Sequence, residues 1–400
     1  MAYDVERVRA NFPALAEGAA HFDGPGGSQV AAPVADAVAG MLRAAVANRG
    51  TVTAAERRAE DAVVGARAAM ADMLGCSPRG VVFGRSMTAL TFEMSRALVK
   101  TWSAGDEVVI TRLDHDSNIR PWVVAGERAD VTVRWASFDK QTADLPVDAV
   151  TELIGPRTKL VAVTAASNLF GTMPDVRAIA DAAHAVGALV YVDGVHYTAH
   201  IGVDMAAMGA DFFACSPYKF CGPHLGVVAA DPSMLESLHP DKLLPSIDDV
   251  PERFELGTLP YELLAGVTAA VDFLAGLDAS VDGDRRQRLT ASFAALEKHE
   301  NALAERLLAG VAELPQVSVH GSPARRTPTV PFSVAGMKGY DVHQALAAHG
   351  VNAPAGAFYA IEASRWFGLG DTGAVRAGIA PYTNEDDVER LLKALVAVTR

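Results

Sequence analysis

The stretch ADFFACSPYKFCGPHLG, residues 210–226, puts a lysine where its charge has no obvious partner. Lys219 follows an apolar run, Phe212 to Cys215, and precedes Phe220, Cys221, Gly222 and Pro223. A short apolar run bounded by polar and turn residues reads as a buried strand. The same form recurs along the chain as VVFG (81–84), EVVIT (107–111), VTVRWA, KLVAVTAAS and ALVYVDG, and again after the lysine as LGVVAAD. These runs are rich in Val and aromatics and mostly unalternating, as strands covered by helices on both faces are. Helix-like segments such as SMTALTFEMSRALVKTW lie between them. Together they predict an α/β fold with a mostly parallel seven-stranded sheet.

Outside that region the pattern changes. An Ala-rich part before it has helical periodicity over 30–47 and 54–75. Beyond about residue 260 come a long charged helix (roughly 284–314), two strand-like pieces (VSVHG, TVPFSVAG) and a terminal helix from Asn384. This predicts a second, smaller α+β domain, packed closely because no linker or low-complexity block intervenes.

Four hundred residues, 50% hydrophobic and 21% charged, suffice for a large core. The net charge of −13 argues against nucleic acid or an anionic membrane surface as partner, since both are bound through an excess of Lys and Arg. A small molecule is the expected partner. No apolar run approaches membrane-spanning length, and the N-terminus MAYDVERVRANFP carries charges where a signal peptide needs an apolar stretch. With three scattered cysteines (Cys76, Cys215, Cys221), which form no disulfide framework or zinc ribbon, this predicts a cytoplasmic protein.

In an open α/β sheet the ligand sits at the carboxyl ends of the strands. There the sequence offers Arg85, Ser86, Met87 and Thr88 at a helix start suited to an anion. It offers His115 and Asn118 after EVVIT, and Asn168 after the next long strand. Asp193 and His196 follow ALVYV, and Ser216, Tyr218 and Lys219 follow DFFAC. Each alone has an ordinary structural explanation: Asp caps turns, a histidine is satisfied in a core, a lysine snorkels to water. Capping does not explain a lysine flanked by apolar residues, so the set reads as a site.

YVDGVHYTAH followed by GADFFACSPYKFCGPHLG resembles the pyridoxal-phosphate segment of the class V aminotransferase and cysteine desulfurase superfamily, and the likeness extends over nearly the whole chain. The resemblance implies a fold-type-I enzyme with a large cofactor domain over 19–282 and a small domain formed by 1–18 and 283–400. It implies that Lys219 joins the cofactor aldehyde, burial leaving more of its amine neutral. It further implies that Asp193 faces the pyridine nitrogen, that His115 stacks on the ring and moves protons, and that Asn168 and His196 lie near the phenolic oxygen. Ser86, Met87, Thr88, Ser216 and Tyr218 would take the phosphate. FELGT (254–258) resembles the piece that crosses a dimer interface to the partner's phosphate, implicating Gly257 and Thr258 and a homodimer. AVRAGIAPYTNEDDVERLLKAL resembles the C-terminal signature, whose arginine, Arg376, binds a substrate carboxylate. Gly26 and Gly27 of FDGPGGSQV would line the entrance.

One departure bears on the reaction. Cysteine desulfurases carry a nucleophilic cysteine on a loop before that arginine, whereas VNAPAGAFYAIEASRW contains none and has Tyr359 there. The expected reaction is therefore removal of a Cβ substituent such as sulfur. Amino transfer and Cα epimerisation are the alternatives, and Tyr359, Phe358 and Arg365 are candidates for selectivity. A metal hydrolase built on His196, His200, Cys215, Cys221 and His224 is a further alternative that leaves Lys219 and Asp193 without roles; a non-catalytic binding protein would not need them either.

Overall fold

The computed structural model describes residues 3–399. Its central sheet has seven strands in the spatial order Val81–Gly84, Gly226–Ala230, Phe212–Cys215, Leu189–Asp193, Thr158–Thr164, Glu107–Thr111 and Thr132–Ala136. Gly226–Ala230 runs antiparallel to both neighbours, and every other neighbouring pair is parallel. All seven strands coincide with the runs read from the sequence.

In every strand but the edge strand Thr132–Ala136, alternate residues enter different cores, which keeps those runs largely apolar. On one face Val82, Val108, Ile110, Leu160, Tyr191 and Phe212 pack with the helices Met87–Leu98 and Arg120–Ala129. On the other, Phe83, Val109, Val161, Val192 and Phe213 pack against the helices Ala54–Leu74 and Tyr261–Ala275.

The chain first winds outward, from Glu107–Thr111 to the edge strand Thr132–Ala136. It then jumps back across to Thr158–Thr164 and continues in the opposite direction. The crevice at that reversal lies between the ends of Glu107–Thr111 and Thr158–Thr164, and ligands bind at such a switch point.

A second, four-stranded antiparallel sheet has the order Ala355–Gly356, Ala374–Gly378, Thr329–Val334, Val317–Val319. Phe332 and Val375 of this sheet share a core with Leu307, Leu346 and Leu391, from the helices Arg285–Ala312, Gly339–Ala348 and Glu385–Val398. Asn384 caps the last helix, its side chain accepting the Asp387 amide. Ala20 and Phe22 also pack here, and Ala20–His21 pairs in parallel with Val351–Asn352. Residues just inside the expected start of the large domain thus join the C-terminal layer. Two consequences position the site. Arg376 lies on an interior strand of the second sheet, and the bridge between Asp23 and Gly378 carries the turn 24–27 towards the central crevice.

Among the described residues no helix is long and apolar enough to cross a membrane.

Candidate active site

The strand ends enclose a cavity of about 530 Å³, its mouth included. Its walls hold Ser86, Met87, Thr88, His115, Asn168, Asp193, His196, Ser216, Tyr218 and Lys219, together with Ser117, Thr164, Ala166 and Val195. Ten of the residues singled out from the sequence therefore meet in one place. Five strands contribute them, because each strand ends level with its neighbours; the register pairs Thr164 with Asp193 and Asp193 with Ala214.

Ser86 caps the helix Met87–Leu98, its Oγ accepting the Ala89 amide at 3.1 Å. Its oxygen accepts for the cap and its hydroxyl proton stays available to donate, while the Met87 and Thr88 amides, at the start of the first turn, have no intrahelical partner. Gly226 lets the antiparallel strand pass directly beneath this turn. A Cβ there would stand 2.1 Å from the Ser86 carbonyl carbon.

Lys219 is half-buried, and its Nζ donates to the Pro25 carbonyl at 2.6 Å. Desolvation, reinforced by the Arg376 charge and opposed by Asp193, pulls its pKa down to about 7. A large fraction is therefore neutral amine at physiological pH. Asp193 is buried, and that burial lifts its carboxyl to about 6, tempered by the Val195 amide, which Oδ1 accepts at 2.9 Å, and by Lys219. It remains mainly a carboxylate at neutral pH.

His115, which the resemblance casts as a proton carrier, does not titrate near neutrality. Burial first, then the charges of Lys219 and Arg376, lower its pKa to about 3. Its Nδ1 accepts the Ser117 amide at 3.1 Å and lies 2.7 Å from the Ser117 hydroxyl. A ring whose Nδ1 accepts carries its proton on Nε2. His115 is thus a neutral ring that donates from Nε2. The loop beneath it is held by Asp114, fully buried, which accepts from Thr111 and, at 2.7 Å, from the Asn118 amide.

His196 also lines the cavity, but its Nε2 lies 2.9 and 3.0 Å from the Thr327 and Thr329 hydroxyls, and burial keeps its ring neutral. Those two threonines come from the second sheet and its approach, over a hundred residues away, so no sequence signal linked them to it. Tyr218 stacks on His224 with ring centroids 4.7 Å apart. Its ring would also lie 3.3 Å from a Cβ on Gly27.

Arg376, 1% exposed on the second sheet, lies outside the cavity walls and meets them through Asn168. Its Nη1 donates to the Asn168 carbonyl at 2.7 Å, and the Phe358 ring lies over the guanidinium at 3.7 Å. That cation–π contact is worth about 1–2 kcal/mol in a desolvated setting. Among the described residues no carboxylate pairs with Arg376; burial lowers its pKa to about 9, with Asp23 the charge that opposes this. Gly26 adjoins it, a Cβ there falling 3.5 Å from Nη2.

Tyr359 is 78% exposed at the mouth, its ring centroid 5.5 Å from that of His115. Gly257 and Thr258 are exposed and lie outside the cavity walls. Of the alternative metal ligands, His200 lies 2.9 Å from Glu300 and His224 stacks on Tyr218, and among the described residues no group of three or more His, Cys, Asp or Glu is placed to hold a metal.

The donor set fits pyridoxal phosphate. It presents a partly neutral amine for an aldehyde, a buried carboxylate for a ring N–H, and free helix-start amides for a phosphate. Asn168 Oδ1, buried without a partner, marks a position prepared for a ligand donor.

Comparison with known proteins agrees. Residues 20–391 match the family model for class-V aminotransferases. An uncharacterised protein of Mycobacterium tuberculosis is 34% identical over the full length of both chains. A probable cysteine desulfurase of Halalkalibacterium halodurans is 32% identical over 73% of this chain and 70% of its own. The crystal structure of the Escherichia coli cysteine desulfurase CsdA superposes with a TM-score of 0.86 at 25% identity, covering 99% of this chain and 98% of that one. The chain belongs to the class-V aminotransferase family and is a cysteine desulfurase-like, pyridoxal-phosphate-dependent enzyme.

Proposed function

We propose that the enzyme cleaves a carbon–sulfur bond at Cβ of an amino acid by elimination, without a cysteine nucleophile. The observation that carries this is the state of its thiols. Tyr359 stands at the loop position where a desulfurase cysteine is expected, and Cys215 and Cys221 are fully buried. Burial pushes the Cys76 and Cys221 thiols up to about 12 and Cys215 higher still, so none is a ready thiolate.

Pyridoxal phosphate, when bound, supplies an aldehyde for the lysine and a cationic ring that withdraws electrons from the substrate's Cα. On our reading the protein's own groups do the rest. The Met87 and Thr88 amides hold the phosphate, with Ser86, Ser216 and Tyr218 around it. Asp193 holds the proton on the ring nitrogen. Asn168 and His196 border the opposite edge, His196 as a neutral ring. His115 covers one face, excludes water and donates from Nε2. Arg376 orients the substrate carboxylate beside Gly26 and Gly27, and Tyr359 closes the mouth.

Lys219, whose amine is largely neutral, would be the base that takes the Cα proton. The Cα–H electron pair becomes the Cα–Cβ double bond as the sulfur leaves Cβ with its bonding pair. The proton taken by Lys219 would pass to the departing thiolate to give a thiol, and water would convert the released aminoacrylate into pyruvate and ammonia. The neutral His115 directs proton traffic to Lys219.

The large-domain and small-domain division at 19–282 and 283–400 with 1–18, the cytoplasmic location and a homodimer belong to the same proposal. For the dimer, exposed Gly257 and Thr258 lie near exposed apolar Leu256, and Leu243, Leu244 and Ile247 are exposed as well, a surface suited to a second copy.

Incubation with S-substituted cysteines, assayed for pyruvate, ammonia and thiol in equal amounts, tests the reaction. Equimolar release is expected. Amine transfer that depends on an added keto acid, without pyruvate from the cysteine conjugate, would replace elimination by transamination.

A further inference from the structure

Phe358 and Tyr359 both have left-handed backbones, with φ of 53° and 58°. Bulky side chains rarely adopt this conformation, and two in succession need external restraint. The restraint comes from either side of the cavity. Asn168 Nδ2 donates to the Phe358 carbonyl at 2.9 Å, and the Asp116 amide donates to the Tyr359 carbonyl at 2.8 Å. Asn168 has a second task, since its own carbonyl takes Arg376 Nη1 at 2.7 Å. One residue therefore fixes both the ring above the guanidinium and one end of the guanidinium itself.

The result is a buried guanidinium with one unpartnered edge. Phe358 covers a face at 3.7 Å and Asn168 occupies Nη1. Among the described residues neither Nε nor Nη2 makes a hydrogen bond. Nε–H and an Nη2–H point the same way and match the two oxygens of a carboxylate. Beside that edge is Gly26, where an added Cβ would stand 3.5 Å from Nη2.

We propose that Phe358 is a specificity-determining residue: its ring locks and dehydrates the Arg376 guanidinium so that the subsite accepts a substrate carboxylate and rejects its uncharged amide. This rests on the reading of Arg376 as the carboxylate site. The ring need not touch the reacting atoms. It acts by fixing the plane of the guanidinium and by keeping water from competing for the unpartnered edge.

The test uses the cofactor-loaded enzyme and two probes, L-alanine and L-alaninamide, with binding read from the change in cofactor absorbance rather than from turnover. The measured quantity is the ratio of the two dissociation constants in wild type, Arg376→Gln, Phe358→Leu and Phe358→Tyr. Arg376→Gln should collapse the preference for L-alanine by about 10- to 100-fold, the effect of losing charge-assisted bonds. Phe358→Leu should lower it by about 5- to 10-fold through weaker L-alanine binding, with L-alaninamide changed less than twofold. Phe358→Tyr keeps an aromatic face and should keep the wild-type ratio. Phe358 is half-buried and leucine fills similar space, so a folded variant is expected.

If Arg376→Gln leaves the ratio unchanged, the carboxylate reading fails and the proposal with it. If Arg376→Gln collapses the ratio but Phe358→Leu preserves it, or weakens both probes equally, the reading of Arg376 survives and the role of Phe358 is overturned.

Discussion

The wall of the site and its mouth are built on different principles. The wall is made of strand ends: Asp193 and Thr164 sit on neighbouring, hydrogen-bonded strands, and Lys219 lies four residues beyond another. The mouth is made of loops held by individual bonds, with Asn168 and Asp116 fastening Phe358 and Tyr359, and Pro25 receiving Lys219. A wall set by a sheet is rigid and suits a cofactor that must be held in one pose. A mouth set by a few side chains can differ between relatives and suits the choice of substrate.

That contrast predicts unequal consequences. Replacing Asp193 by Asn should have the largest effect here, cutting turnover by about 10²–10⁴-fold, since among the described residues no other carboxylate lines the cavity. A steady-state assay checks this, and a loss below tenfold would show that the wall is less decisive than its burial suggests. Gly226→Ala should destabilise the protein by about 1–3 kcal/mol, because its Cβ meets the backbone of the helix start rather than a flexible side chain. Denaturant unfolding would measure it, with loss of phosphate affinity as the accompanying sign.

The pH dependence of cofactor capture has a definite direction. Lys219 is lowered to about 7, so its reactive amine is the minor form below that pH. The rate of cofactor capture by the cofactor-free enzyme should rise about tenfold per pH unit below pH 7 and level off above it. A rate still climbing at pH 9 would mean an ordinary, hydrated lysine. His115, held neutral down to about pH 3, should add no inflection near pH 6.5. The smallest change is expected at Tyr359: exposed at the mouth, its replacement by Phe should leave cofactor binding intact and alter the KM by only a few fold.

The same division explains what could be read from the sequence. Six of the strands were legible because both of their faces are buried, which leaves nearly unbroken apolar runs ending in polar residues, whereas the edge strand Thr132–Ala136 is only partly buried and was read from its Val and Trp content. Lys219 stood out because an amine among apolar neighbours conflicts with its surroundings. The partners that tune the site were not legible. Thr327 and Thr329 reach His196 from over a hundred residues away, and the Pro25 carbonyl that receives Lys219 is a backbone atom with no residue-type signature. Ser117 lay in view within RLDHDSN, yet its bond to His115 Nδ1, which fixes the tautomer, depends on the turn and not on composition. The entrance of residues 20–22 into the second core was hidden for a related reason: a two-residue strand carries too short a pattern to assign.

The account depends most on Lys219 being the residue that captures pyridoxal phosphate. Borohydride reduction of the loaded enzyme, followed by digestion and mass analysis, reads this directly. The account predicts a reduced cofactor adduct on the peptide containing Lys219 and its absence from Lys219→Ala protein, together with the loss of visible cofactor absorbance in that variant. An adduct on any other lysine, or retained absorbance in Lys219→Ala, would contradict it.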